Sequence, residues 1–396
     1  MDAATAESQP VRSRPRNRRA EIARNAGELF SVRGFHAVRM DDIADASGIT
    51  ARALYRHYTN KQALLAHVVR EDQARVVETL TALSERDPAE RSPDADLTTL
   101  IAAALDSRRL SLLWQREARH LDVEDYRLVR GRTRWIARTI SELFVVPAAP
   151  DLDGAAADLR SWVVVSIISG HGLYDSPLPR PRLAEELSDA VRRVVSRPAG
   201  TAVDEPAAET GRTSISRREQ LVYAAAGEFR EKGFGGVSID DIGGRVGVVG
   251  PALYRYFDTK ADILVAAVNR LHEWRALELT RAMRSPCPDE EVLDQLVRGY
   301  IRVSLEATDL LAVWLTERLY LPDPVRERFD RVQADHVAEW ARWLSAARPH
   351  LSDAHAMTLV RTAMTLIDDC VRIPHLQRYA GLPTELSRAT LATLGR

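Results

Sequence analysis

Cysteine is nearly absent: Cys287 and Cys370 are the two in 396 residues. That excludes a disulfide scaffold, and the pair reads as small core residues in a reducing compartment. No surplus of charge exists, with 55 Lys and Arg against 56 Asp and Glu. No global field draws the chain to nucleic acid, so any such binding has to come from a local patch. Long apolar runs are missing too. The longest, "WVVVSII" at 162–168, is far too short to span a bilayer. The N-terminal "MDAATAESQPVRSRPRNRR" is polar and basic, without the apolar stretch of a signal peptide. A cytoplasmic protein with no membrane partner is expected. Signatures of chemistry are also wanting. There is no glycine-rich phosphate loop, no Gly-x-Ser-x-Gly and no His-Glu-x-x-His. His120, His171, His336 and His375 stand apart, without metal-ligand spacing. The expectation is no enzyme, no metal and no cofactor.

What is present is a repeat. "ITARALYRHYTNK" (49–61) and "VVGPALYRYFDTK" (248–260) share Ala-Leu-Tyr-Arg and a lysine six residues after the tyrosine, at an offset of 199. At the same offset Phe30 meets Phe229, Gly34-Phe35 meets Gly233-Phe234, and Asp41-Asp42-Ile43 meets Asp240-Asp241-Ile242. Further on, Leu110, Trp114, Glu117 and Leu121 meet Leu310, Trp314, Glu317 and Leu321, now at an offset of 200. Each half is therefore one copy of a complete domain, and the 45% apolar content supplies a core for both. Between them "SRPAGTAVDEPAAETGRTS" (196–214) has the composition of a flexible linker. As a coil it would span roughly 24 Å.

Periodicity within each copy is helical. Ile22, Ala26, Leu29 and Phe30 share one face of a helix over 18–33, and Gly34 is its stop signal. Short helices follow at 40–47 and 51–57, then a long one from Asn60. "WVVVSII" has the β-branched content of a buried strand, but its counterpart "AMTLVRTAMTLI" (356–367) spaces Met357, Val360, Met364 and Ile367 helically. Both are read as buried helices. The fold expected is all-α, with about nine helices per half. The divisions are a basic arm at 1–17, a first head at 18–62, its helical body at 63–195, and the linker. A second head at 215–261 and a second body at 262–396 follow.

The repeated phrase has a place in this layout. "MDDIADAS", Gly-Ile-Thr and "ARALYRHY" form a helix-turn-helix, two short helices joined by a tight glycine-containing turn. The second helix of such a unit can lie in a DNA major groove. Thr50 is its expected cap. Thr50, Ala51, Arg52, Tyr55, Arg56 and His57 should be exposed, and Ile49, Leu54 and Tyr58 should face inward. Lys61 opens the next helix, where a cation and free N–H groups can grip a phosphate.

"MDDIADASGITARALYRHYTNKQALL", with the preceding helix and its "RGF" end, resembles the DNA-binding signature of the TetR family of bacterial repressors. "IDDIGGRVGVVGPALYRYFDTKADIL" resembles it again. The tandem layout is similar to an actinobacterial subgroup of two-copy repressors of mammalian-cell-entry operons, which govern lipid or sterol uptake. The resemblance implies double-stranded operator DNA as partner and a small apolar effector of lipid, sterol or acyl-CoA type. It implies phosphate contacts at Tyr55, His57 and Lys61, and at Tyr254, Tyr256 and Lys260; Arg56 and Arg255, next to the tyrosines, are further DNA-contact candidates. Base contacts fall to Ala51, Arg52 and Ala53, and to Gly250, Pro251 and Ala252 after Val249.

The two heads are chemically unequal. Arg52 can grip guanine O6 and N7, whereas Gly, Pro and Ala offer no side-chain donor. Arg39 stands where the family keeps a Ser or Thr cap; the second copy keeps Ser238. Residues 1–61 hold 11 Lys and Arg against 7 Asp and Glu, net +4, and residues 211–260 hold 8 against 6, net +2. The excess sits in "RSRPRNRR" (12–19), where Arg14 and Arg16 can add phosphate or minor-groove contacts; the alternative is a solubilising tail. Trp114 with Glu117 and Trp314 with Glu317 either line a ligand cavity or pack, with His120, His171 and Tyr320 as further candidates. The reading that results is a transcriptional repressor. One chain forms its own pseudo-dimer, places two heads on an asymmetric operator, and is released by an apolar effector. The alternative is a homodimer or scaffold in which only the first head binds DNA.

Overall fold

Each half is a succession of helices whose ends are set by side-chain caps and glycines. The computed structural model describes residues 15–107, 110–198, 200, 214–248 and 250–396, without the side chains of residues 15–17, 110, 111, 250 and 251. Arg14, Val249 and most of the linker lie outside the described residues, as do the side chains of Arg16 and Pro251. The first half runs α1 (Pro15–Arg33), α2 (Met40–Ala46), α3 (Ala51–Tyr55), α4 (Lys61–Glu85) and α5 (Pro93–Asp106). Then come α6 (Leu110–Glu117), α7 (Val123–Ile140), α8 (Val146–Ala148), α9 (Gly154–Ser169) and α10 (Arg180–Val195). The second half holds α11 (Arg217–Lys232), α12 (Ile239–Arg245), α13 (Gly250–Leu253), α14 (Lys260–Met283) and α15 (Val292–Glu306). It closes with α16 (Thr308–Glu317), α17 (Asp323–Ala347), α18 (Asp353–Cys370) and α19 (Leu382–Leu394). Every regular element among the described residues is helical, so the fold is all-α.

Three helix boundaries differ from the sequence reading, the smallest being α2, which ends at Ala46 rather than 47. Helix α1 starts at Pro15, inside the stretch expected to be arm; a proline's fixed φ suits a first helical turn. The recognition helix α3 ends at Tyr55 rather than 57. "WVVVSII" is helical, within α9, and Asp153 caps that helix by accepting from Ala155 N and Ala156 N at 2.8 Å.

The repeat is visible atom by atom. Lys61 Nζ donates to Phe35 O and Val38 O at 2.7 Å, and Lys260 Nζ donates to Phe234 O and Val237 O at 2.7 Å. Arg18 reaches Ser47 O and Arg217 reaches Val246 O, again counterparts at 199. Gly48 and Gly247, at φ +62° and +68°, make the turn between the two short helices in conformations a side chain would strain.

The halves are joined by a four-helix interface in which α9 packs on α18 and α10 on α19. Its polar contacts cross from half to half. Arg160, 1% exposed, donates through Nε to Glu385 Oε1 at 2.7 Å. Ser166 Oγ donates to Asp369 Oδ2 at 2.6 Å, and Arg193 reaches the carbonyls of Ala392 and Thr393 at 2.9 Å. At Gly170 a Cβ would stand 2.7 Å from Thr365 Cγ2, so glycine lets the backbones approach. One apolar core runs through both bodies and the second head. The first head has a core of its own, shared with Leu113, Ala118, Leu121 and Val129 of the body beneath it. Cys370 is buried in the common core and Cys287 is half-buried at its edge.

Candidate nucleic-acid interface

In the first head α2 and α3 are held by Ile43, Leu54 and Tyr58, all buried against α1 and α4. Thr50 caps α3, its Oγ1 accepting from Ala53 N at 3.2 Å. With Leu54 and Tyr58 inward, the opposite face of the recognition helix is free. Arg52 and Arg56 are exposed, Ala51, Ala53 and His57 are half-buried, and Tyr55 is 53% exposed. The second head repeats this. Leu253 and Phe257 are buried, Tyr254 is 54% exposed, and Arg255 and Tyr256 are exposed beside it. Both tyrosines could have been core aromatics; both point to solvent.

Capping differs between the heads as the sequence implied. Ser238 and Asp241 satisfy each other: Asp241 N donates to Ser238 Oγ at 3.1 Å and Ser238 N to Asp241 Oδ2 at 2.8 Å. In the first head Arg39 N donates to Asp42 Oδ2 at 2.7 Å, but a guanidinium cannot return the bond. Arg39 is exposed and its side chain is left for other partners. Gly243, counterpart of Ala44, is forced by a turn so tight that a Cβ would lie 2.3 Å from Val248 O.

The lysines are less free than the sequence reading held. Lys61 and Lys260 are half-buried, each 4.3 Å above a phenylalanine ring (Phe35 and Phe234) as well as bonded to two carbonyls. Burial lowers both pKa values below the usual lysine range. Two of three ammonium protons are committed, and one is left for a phosphate. At the start of α1, Arg19 lies 5.1 Å over the Tyr58 ring and Arg18 donates to Ser47 O at 3.3 Å, so these arginines pin α1 to its head.

Of the ligand-pocket candidates, Trp114 and Trp314 line two separate cavities, of about 460 and 590 Å³, between the halves. Glu117, His120, His171, Glu317 and Tyr320 line neither of these two cavities. Glu117 is buried and accepts from Phe35 N at 3.2 Å; Glu317 is buried and accepts from Phe234 N at 2.9 Å. Each body thus grips the turn after the first helix of its own head. His120 stacks on Phe35 with centroids 5.0 Å apart, and burial lowers its pKa to about 3. Tyr320 stacks on Phe234 at 5.3 Å, and His171 is buried with Nδ1 3.0 Å from Ile168 O. Sequence reasoning missed Arg119, which crosses to pair with Glu317, and His36, whose ring lies 3.0 Å from where a Cβ on Gly235 would stand. The two heads therefore abut at these turns. The repeated Glu117 and Glu317 were legible as a pair; their backbone partners were not.

The comparisons with known proteins bear on this geometry. Residues 22–68 and 221–267 each match the family described as "Bacterial regulatory proteins, tetR family". Each half carries a tetR-type helix-turn-helix segment. The chain is similar to the HTH-type transcriptional regulator UidR of Escherichia coli (strain K12), 35% identical over 77 residues, 19% of this chain and 36% of UidR. It is similar to the HTH-type transcriptional repressor BdcR of the same strain, 28% identical over 148 residues, 37% of this chain and 75% of BdcR. Among solved structures, the ketosteroid transcriptional regulator KstR2 of Mycobacterium tuberculosis aligns at 19% identity and a TM-score of 0.38, covering 46% of this chain and 95% of that one. The matched part is about a third of UidR. Among the described residues no helix is long and apolar enough to cross a membrane, and no group of three or more His, Cys, Asp and Glu could hold a metal.

Proposed function

We propose that this chain is a sequence-specific DNA-binding transcriptional repressor that supplies both helix-turn-helix heads from one polypeptide. The carrying observation is the pair of outward tyrosine faces on heads whose bodies are already joined through an internal four-helix interface. Helix-turn-helix proteins ordinarily reach two successive grooves by dimerising, and here the duplication supplies the second head. Tyr55, His57 and Lys61, with Tyr254, Tyr256 and Lys260, contact phosphates; Ala51, Arg52 and Ala53 read bases. Positions 250–252 reach at most a thymine methyl, so the operator has two unlike halves.

The release mechanism follows from the junction. A small apolar effector of lipid, sterol or acyl-CoA kind enters a cavity between the halves and shifts α6 or α16. Glu117 and Glu317 end those helices and hold the turns of the two heads, so the shift changes head spacing. The effector acts only as far as it prefers the released arrangement. Footprinting on the DNA beside the protein's own gene tests the reading. One protected stretch of two unlike halves per chain is expected; a symmetric site occupied by two chains would overturn it. The second reading, in which only the first head contacts DNA, is favoured by the donor-free Gly250, Pro251 and Ala252. The mass of the operator complex separates the two.

A further inference from the structure

The two cavities are counterparts under the repeat, and their chemistry has diverged. At an offset of 200, Trp114 answers to Trp314, Arg130 to Asp330 and Arg134 to Ala334. The second cavity is balanced: Arg116, Arg318 and Arg361 face Asp330, Asp368 and Asp369. The first sets Arg119, Arg130, Arg134, Arg230 and Arg372 against Asp369 alone. Three of those arginines are already engaged. Arg119 pairs with Glu317, Arg230 with Asp309 at 2.9 Å, and Arg372 with Asp369 at 3.1 Å. Arg130 and Arg134 are exposed, and among the described residues neither side chain has an ion pair or hydrogen bond. They stand four residues apart on α7, hence on one face at the rim.

Behind them the wall is apolar and aromatic, with Trp114, Trp162, Ile136 and Val165. Deeper in, Gln73 is 1% exposed and donates through Nε2 to Thr133 Oγ1 at 3.1 Å. The Thr133 proton is committed to Val129 O at 3.0 Å, so the amide can only donate there, and its Oε1 has no partner. A buried acceptor of this kind suits a ligand O–H or N–H.

We propose that the first cavity binds one anionic amphiphile per chain, its carboxylate or phosphate at Arg130 and Arg134 and its apolar tail against Trp114 and Trp162. The second cavity, charge-balanced, does not share this preference. At about 460 Å³ the cavity is of small-molecule size. The site rests on reading these cavities as the effector's, and it narrows the effector from apolar to amphiphilic and acidic.

The test is titration of the full chain with monomeric dodecanoate, dodecyl phosphate and dodecanol, read by calorimetry and tryptophan fluorescence. One equivalent of anion per chain is expected, with dodecanol about tenfold weaker. The Arg130→Ala/Arg134→Ala variant, with an unchanged melting temperature, should weaken the anions about tenfold and leave dodecanol unchanged. The two anions ranked against each other tell carboxylate from phosphate. Two equivalents per chain, equal affinity for alcohol and anion, or a variant that binds like the parent would each overturn the proposal. Operator binding is followed in parallel. If the anion binds as described while DNA stays bound, the site stands and the effector reading fails. If DNA binds and no anion does, this inference fails alone.

Discussion

At the scale of single residues, the contrast between Arg52 and Lys61 separates two kinds of contact. Arg52 is exposed, and among the described residues no ion pair or side-chain hydrogen bond engages it, which leaves it free for the base contact proposed above. Arg52→Ala should cost about 1–3 kcal/mol of operator affinity and relax preference at one base pair, measured across a panel of single-base operator variants. A loss spread evenly over all sequences would reassign Arg52 to phosphate. Lys61 instead ties Phe35 O and Val38 O together from its place at the start of α4. Lys61→Met should destabilise the first head by about 1–3 kcal/mol, visible in urea unfolding without any DNA, because two half-buried carbonyls lose their donor. Asp368 offers a pH readout. Buried beside Arg275 at 3.1 Å and Tyr300 Oη at 3.0 Å, it is pushed by burial from 3.8 up to about 6. As pH falls through about 6 the folded chain takes up this proton, while the unfolded chain waits until about 3.8. The folded state binds more protons in that window, so this contribution to stability is present at low pH and lost as pH rises through it. Asp368→Asn should flatten the stability profile between about 4 and 6 relative to the parent, followed by urea midpoints.

Secondary-structure elements carry the inequality of the heads. Both use the same turn, yet α12 enters it with Gly243 where α2 has Ala44. The backbone carbonyl of Val248 fills the space a methyl would need. Gly243→Ala should therefore destabilise the second head by about 1–3 kcal/mol, with local amide exchange in α12 and α13 as the readout and α2 and α3 as the internal control. Unchanged protection there would mean the turn yields freely. The periodic helices and the turn glycines were legible in the sequence, because a 3.6-residue apolar stripe and a positive-φ stop are local requirements. The premature end of α3 was not: after Tyr55 the chain turns so that Tyr58 reaches the core, and tertiary packing decides that.

For the molecule as a whole, the decisive feature is that the halves share a core while the first head keeps its own. Arg160 is the polar pin of that union, bonded to Glu385 and to the carbonyls of Arg197 and Pro198 where the first half ends. Arg160→Ala leaves the buried Glu385 carboxylate with only the longer pair to Arg388 at 3.6 Å and should cost about 3–5 kcal/mol in global unfolding. Arg160→Met with Glu385→Leu should recover most of it, since the charge and its partner leave together. If the single variant unfolds like the parent, the interface does not depend on this pair.

The sequence by itself determined the all-α class, the duplication, the two helix-turn-helix segments and which recognition face carries an arginine. All of these follow from spacing along the chain, which fixes helical faces and turns without reference to distant residues. Only the tertiary structure decided that Glu117, Glu317, His120 and Tyr320 serve the joint between body and head instead of a pocket. It alone brought His36 against Gly235 and left Arg130 and Arg134, among the described residues, without a side-chain partner at the rim of a shared cavity. Those outcomes depend on which buried N–H groups lack an acceptor and which charges find a partner once two distant halves meet, and no local pattern encodes that meeting.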